Sequence, residues 1–131
     1  MESLRPLASY RLSCANIVQW SEQRFEIFID DGYVIDRKAS DELARMFDGL
    51  CHSPFDLLIC ADRRYSYSDE GAKTVGRHRL QRRTAIYTSN APTPENIIDS
   101  IAINRRQFPY KVIRFFDSRA AALRWLEGER D

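Results

Sequence analysis

Cysteine is scarce in this chain, with three among 131 residues at positions 14, 51 and 60. An odd count without a C-x-x-C pair makes no disulfide framework and no zinc ribbon. Cys51 and Cys60 fall on apolar faces of predicted elements, which favours reduced, buried thiols and a cytoplasmic setting. Glycine and proline number five each, too few for a low-complexity or repeat protein. No apolar run approaches the roughly 18 residues of a membrane span. Met1 to Leu12 lack the continuous apolar stretch of a secretory signal. The phosphate-cradling glycine patterns, HExxH and GxSxG are missing too. His52 and His78 have no carboxylate or thiol at metal-binding spacing. The adjacent acids Asp30 and Asp31, with Asp36, read as a hydrated turn and a helix cap rather than a catalytic pair. Neither an enzyme nor a cofactor is expected from these residues.

What is present fits one globular domain. Apolar residues make up 44% and charged residues 30%, an ordinary composition for a folded chain of this size. Net charge is only +1, but its distribution is uneven. Residues 1–50 carry six Lys/Arg against nine Asp/Glu, whereas residues 63–83 carry seven basic side chains against Asp69 and Glu70. The run Arg77-His78-Arg79-Leu80-Gln81-Arg82-Arg83 spans a helix end, a loop and a strand start. Its side chains need not share a face, and no nucleic-acid partner is expected. A solvated loop is the expected use of this charge, with pairing to the acidic first helix of a neighbouring molecule as a further option.

Periodicity sets the order of elements. Residues 10–20 alternate apolar and polar as one edge strand, and Ser21-Glu22-Gln23 fits a hairpin turn. Phe25, Ile27 and Ile29 then mark a strand with one buried face. Leu43, Met46, Phe47, Leu50 and Cys51 form one helix face, with Asp36 as N-cap. FDLLICA, Phe55 to Ala61, reads as a strand covered on both sides. Ser68 caps a short helix within residues 66–76, and residues 83–89 form the next strand. Thr93-Pro94-Glu95 starts a helix with Thr93 as cap and Ile97, Ile98, Ile101, Ala102 and Phe108 as its buried stripe. Tyr110 to Phe116 is a strand. Asp117 or Ser118 caps a last helix that carries Trp125.

The alternation implies βαβ units and right-handed crossovers. The expected fold is α/β, a single mostly parallel mixed sheet of about five strands with an N-terminal antiparallel hairpin and four helices. Its domain covers residues 9–128, after a short, loosely ordered lead-in over residues 1–8.

The capped helix TPENIIDSIAINRRQFP, the ending VIRFFDSRAAALRWL and the strand FDLLICAD resemble the STAS-like fold of bacterial anti-sigma-factor antagonists, also called SpoIIAA-like. The resemblance covers roughly residues 12–127. It is nearest to a subgroup of unknown role, and implies a non-enzymatic regulatory or protein-interaction module. In antagonists of this kind a phosphorylated serine sits where the third strand turns into the second helix. Here that turn runs from Asp62 to Asp69, and Ser66 and Ser68 are its serines. The residues expected to bind a partner are Asp62, Arg63, Tyr65, Ser66 and Ser68. A phosphate there would meet Arg63 and Arg64, whereas Ser68 as a plain helix cap is the simpler role. The alternative function is a small-molecule or lipid-binding domain of the same fold, its pocket near Tyr65, Tyr67, Tyr87 and the Asn104–Phe108 helix end. An exposed edge strand also makes a homodimer an expectation.

Overall fold

The order of elements follows from a six-stranded sheet with helices on both faces, seen in a computed structural model that describes residues 5–89 and 91–128. Of the expected lead-in, residues 1–4 lie outside the described residues. The elements are β1 (Ala8–Arg11), β2 (Ala15–Ser21), β3 (Arg24–Ile29), β4 (Val34–Ile35), α1 (Arg37–Leu50), β5 (Phe55–Cys60), β6 (Ser66–Tyr67), α2 (Asp69–Thr74), β7 (Gln81–Tyr87), α3 (Glu95–Gln107), β8 (Val112–Phe116) and α4 (Arg119–Leu126). The main sheet has the order β1-β2-β3-β5-β7-β8. β1, β2 and β3 are antiparallel, and β3, β5, β7 and β8 run parallel.

The sheet therefore has one strand more than the sequence suggests. Residues 10–20 are not a single strand: the chain folds back after Arg11, and β1 pairs with β2. No Gly or Asn-Gly marks this corner. Instead, Glu42 of α1 accepts from the Ser13 backbone N–H at 3.1 Å and from its hydroxyl at 2.6 Å. A tertiary contact supplies what turn residues usually provide.

Each parallel strand is laid beside the one before it, always stepping the same way. Right-handed crossovers then put successive helices on one face. α1 and α3 pack on that face over Ile27, Leu57, Ile59, Ile86 and Ile113, and α2 sits between them. The larger core cluster includes Phe25, Phe47 and Phe55, in mutual ring contact. Among the described residues α4 is the helix that covers the opposite face, over Leu58, Ala85 and Tyr87.

Helix caps match the sequence at three of four starts. Asp36 accepts from Ala39 N at 2.9 Å, Ser68 from Gly71 N at 3.0 Å and Ser118 from Ala121 N at 3.1 Å. The exception is α3, where Pro94 occupies the N-cap position with no side-chain cap bond, so Thr93 does not cap. α3 also turns a different face inward. Ile97, Ile101 and Asn104 are buried, whereas Ile98 and Ala102 face outward. The Asn104 amide donates to Ala72 O at 2.9 Å and Val75 O at 2.7 Å, satisfying carbonyls at the end of α2. No helix of the described residues is long and apolar enough to cross a membrane.

Candidate functional site

The turn that follows β5 is tied to three neighbouring segments. Asp62 accepts from the Ser89 backbone at 2.7 Å and the Ser89 hydroxyl at 2.9 Å. Arg64 N–H donates to Asp31 Oδ1 at 3.0 Å, and the Arg64 carbonyl accepts from Gly32 N–H. Asn96 of α3 donates to the Tyr65 carbonyl at 3.1 Å. Ser66 and Tyr67 form β6, which pairs in parallel with Val34 and Ile35 of β4. Two residues per strand are too few to show periodicity, so this ladder leaves no mark in the sequence. Gly71 lets α2 approach it closely: a Cβ there would lie 1.8 Å from the Ile35 carbonyl oxygen.

The five expected contact residues divide under this geometry. Asp62 and Arg63 are exposed at the C-terminal ends of the parallel strands. Ser66 and Ser68 are half-buried. Ser68 spends its hydroxyl on the α2 cap and on Ile35 O at 3.4 Å, whereas the Ser66 hydroxyl has no bond among the described residues. Tyr65 faces inward at 6% exposure, correcting the expectation of an outward ring. It packs edge-on against Tyr67, and burial raises its phenol pKa well above normal. Tyr65 supports the turn from beneath. The outward face is completed by Val34, 49% exposed, a residue the sequence did not single out.

Four side chains of the basic run, Arg77, His78, Arg82 and Arg83, have partners within the chain. Arg77 donates to Asp41 at 2.6 Å and to Ser40 at 3.0 Å, and His78 meets Asp48 at 3.0 Å, all on α1. Arg82 and Arg83 both reach Asp56, at 3.1 and 2.8 Å. Asp56 is 3% exposed. Burial alone would raise its pKa, but the two guanidinium groups outweigh this and hold it below the usual carboxylate value.

A second buried carboxylate went unread in the sequence. Glu26 is fully buried beneath the α4 side of the sheet. Arg119 donates to both its oxygens, Tyr87 to Oε2 at 2.5 Å and Trp20 Nε1 to Oε1 at 2.9 Å. Burial opposes its charge, and these donors more than offset that, leaving the pKa lowered. Tyr87 is thus committed to this network, on the sheet face away from Tyr67. Of the expected pocket of Tyr65, Tyr67, Tyr87 and the Asn104–Phe108 helix end, Tyr67 and Asn104 share one cavity and Tyr65 packs on Tyr67, whereas Tyr87 lies on the other face of the sheet.

An open pocket of about 390 Å³ lies at the C-terminal strand ends, bordered by Thr88, Pro92, Phe116 and Asp117. The internal cavity lies between the sheet and the α1–α3 layer. It measures about 50 Å³ and is lined by Ile27, Leu57, Tyr67, Ile101 and Asn104 among others. An acyl chain does not fit that volume. The three cysteines are free thiols. Burial pushes Cys14 and Cys51 up to about 11 and Cys60 in the same direction, away from the reactive thiolate. Among the described residues no three His, Cys, Asp or Glu side chains group as metal ligands.

The known family models, curated proteins and solved structures yield no match to this chain.

Proposed function

We propose that the chain is a non-enzymatic regulatory or protein-interaction module of STAS-like build, and that it presents the 62–68 turn with its 31–34 neighbour to a protein partner. One observation carries this reading. The turn is bonded on three sides, yet Val34, Asp62 and Arg63 project from it into solvent. A surface ordered before contact loses little entropy on binding, which is the general advantage of a preorganised interface. Its composition also suits a protein: one apolar side chain beside charges of both signs. Of the two serines, Ser66 has the hydroxyl open to modification, because Ser68 is engaged in capping α2.

The internal cavity is too small for a long acyl chain, so a lipid would need the open pocket beside Thr88 and Phe116. The test is co-purification of partners with the tagged full-length chain and with a Val34→Asp/Arg63→Glu variant. Any partner recovered is then titrated in purified form. Binding weakened about tenfold or more by the double change supports the reading. Equal affinity for both proteins removes the turn as the contact surface. A homodimer, if formed, is read from the mass of the purified chain in the same preparation.

A further inference from the structure

β8 is an outer strand of the sheet. In a ladder, successive residues turn their backbone groups to opposite sides. The Phe116 carbonyl accepts from the Thr88 N–H at 3.1 Å, so Phe116, Arg114 and Val112 face β7. Ile113 and Phe115 therefore face outward. The Ile113 carbonyl is covered by the Arg105 guanidinium. The Ile113 N–H and both backbone groups of Phe115 have no hydrogen-bond partner among the described residues. Such a row is a template for a further strand.

α3 leaves apolar surface beside this edge. Asn104 reaches α2 and Arg105 reaches the outer side of β8, which fixes the rotation of the helix. Ile98 and Ala102 lie on the Arg105 side, one and two turns before it. Both are exposed, Ile98 at 42%. They make a wall next to β8 that the sheet itself does not use. On the opposite face β8 presents Val112, 47% exposed, and Arg114. A strand laid beside β8 would set alternate side chains against Ile98 and Ala102 and the others beside Val112 and Arg114. Residues 105–116 carry Arg105, Arg106, Lys111 and Arg114 and no acid. A second copy paired through the same edge would bring these cations together, which disfavours it. A nucleic acid has no row of amide groups to match the open ladder. An acidic polypeptide suits both the charge and the backbone.

We infer that the open edge of β8 takes up an extended acidic segment of another protein as a further strand, its apolar side chains on Ile98 and Ala102 and its carboxylates beside Arg114. The Ile113 and Phe115 amides bond to the added backbone, and Arg105 has further N–H groups to offer a carboxylate. The surface shares no residue with the 62–68 turn. Arg106, one position beyond Arg105, turns away from it.

The experiment uses the full chain, with backbone amide NMR signals and their hydrogen exchange followed together. The probes are a short blocked peptide of alternating valine and glutamate, the same peptide with lysine for glutamate, and a single-stranded oligonucleotide. The glutamate peptide is expected to move the Ile113 and Phe115 amides saturably and to slow their exchange, with the lysine peptide at least about tenfold weaker. Ile98→Asp is expected to weaken the glutamate peptide about tenfold, and Arg114→Glu to shift the preference towards lysine. Equal binding of the two peptides, unchanged binding by Ile98→Asp, shifts that miss Ile113 and Phe115, or the same shifts from the oligonucleotide would each overturn the inference. A dimer that protects those two amides without any peptide would assign the edge to a second copy, and would overturn it as well. The wild-type titration decides between the probes even if a variant does not fold.

Discussion

Arg119 and Glu26 stand 93 positions apart and meet as a two-pronged pair, Nε to Oε2 at 2.8 Å and Nη2 to Oε1 at 2.7 Å. The contact ties the start of α4 to the middle of β3. At the other end of the helix, Arg83 donates to the Trp125 and Leu126 carbonyls while it pairs with Asp56. α4 is therefore held over its sheet face at both ends by an arginine shared with a buried carboxylate.

Removing one member of such a pair leaves a buried charge alone. Arg119→Ala is expected to lower stability by about 3 kcal/mol, measured by urea unfolding at neutral pH. Replacing both partners, as Glu26→Leu with Arg119→Met, should cost much less, because no charge is stranded.

The same carboxylates set the response to acid. Glu26 and Asp56 both have lowered pKa values in the folded chain. Their contribution is complete above the ordinary carboxylate range and is lost as pH falls through the folded values. Unfolding midpoints should drop steeply below about pH 4, and Glu26→Gln should flatten that slope. An unchanged slope would mean that Glu26 is not linked to folding.

Lys111 acts in the opposite sense at high pH. Burial lowers its pKa to about 8 from an ordinary 10.5. A depressed amine penalises the fold in full below about pH 8, and the penalty is relieved as pH rises towards 10.5. Stability should increase across that window. Lys111→Met should stabilise the protein at pH 7, by up to about 3 kcal/mol, and remove the increase.

Two substitutions probe how the turn is held. Gly71→Ala would drive a methyl into the Ile35 carbonyl. It is expected to cost about 3 kcal/mol and to speed hydrogen exchange at the Ser66 and Ser68 amides, which bond to Tyr33 and Ile35. Asn104→Ala strands the Ala72 and Val75 carbonyls and should cost about 1–3 kcal/mol.

The alternating fold was legible because its signals are local. Ile27 and Ile29 report a strand face, Leu43 and Phe47 a helix face, and Asp36, Ser68 and Ser118 mark helix starts by their own chemistry. What escaped depends on partners distant in sequence. The Ser13 corner needs Glu42, the inward face of α3 is decided by what Asn104 can bond on α2, and the burial of Glu26 becomes visible only once Arg119 and Tyr87 arrive. The position of the 62–68 turn was readable from strand and helix order. Its rigidity was not, because a ladder of two residues leaves no pattern, and the inward ring of Tyr65 follows from packing under that ladder.

The proposed interaction surface is tested most directly by placing a photo-crosslinking residue at position 63 in the full-length chain and, separately, at position 106 on the exposed far end of α3, then irradiating living cells. A discrete adduct to another protein from position 63, absent from position 106, is the expected result. Adducts of equal strength from both positions, or from position 106 alone, would contradict it.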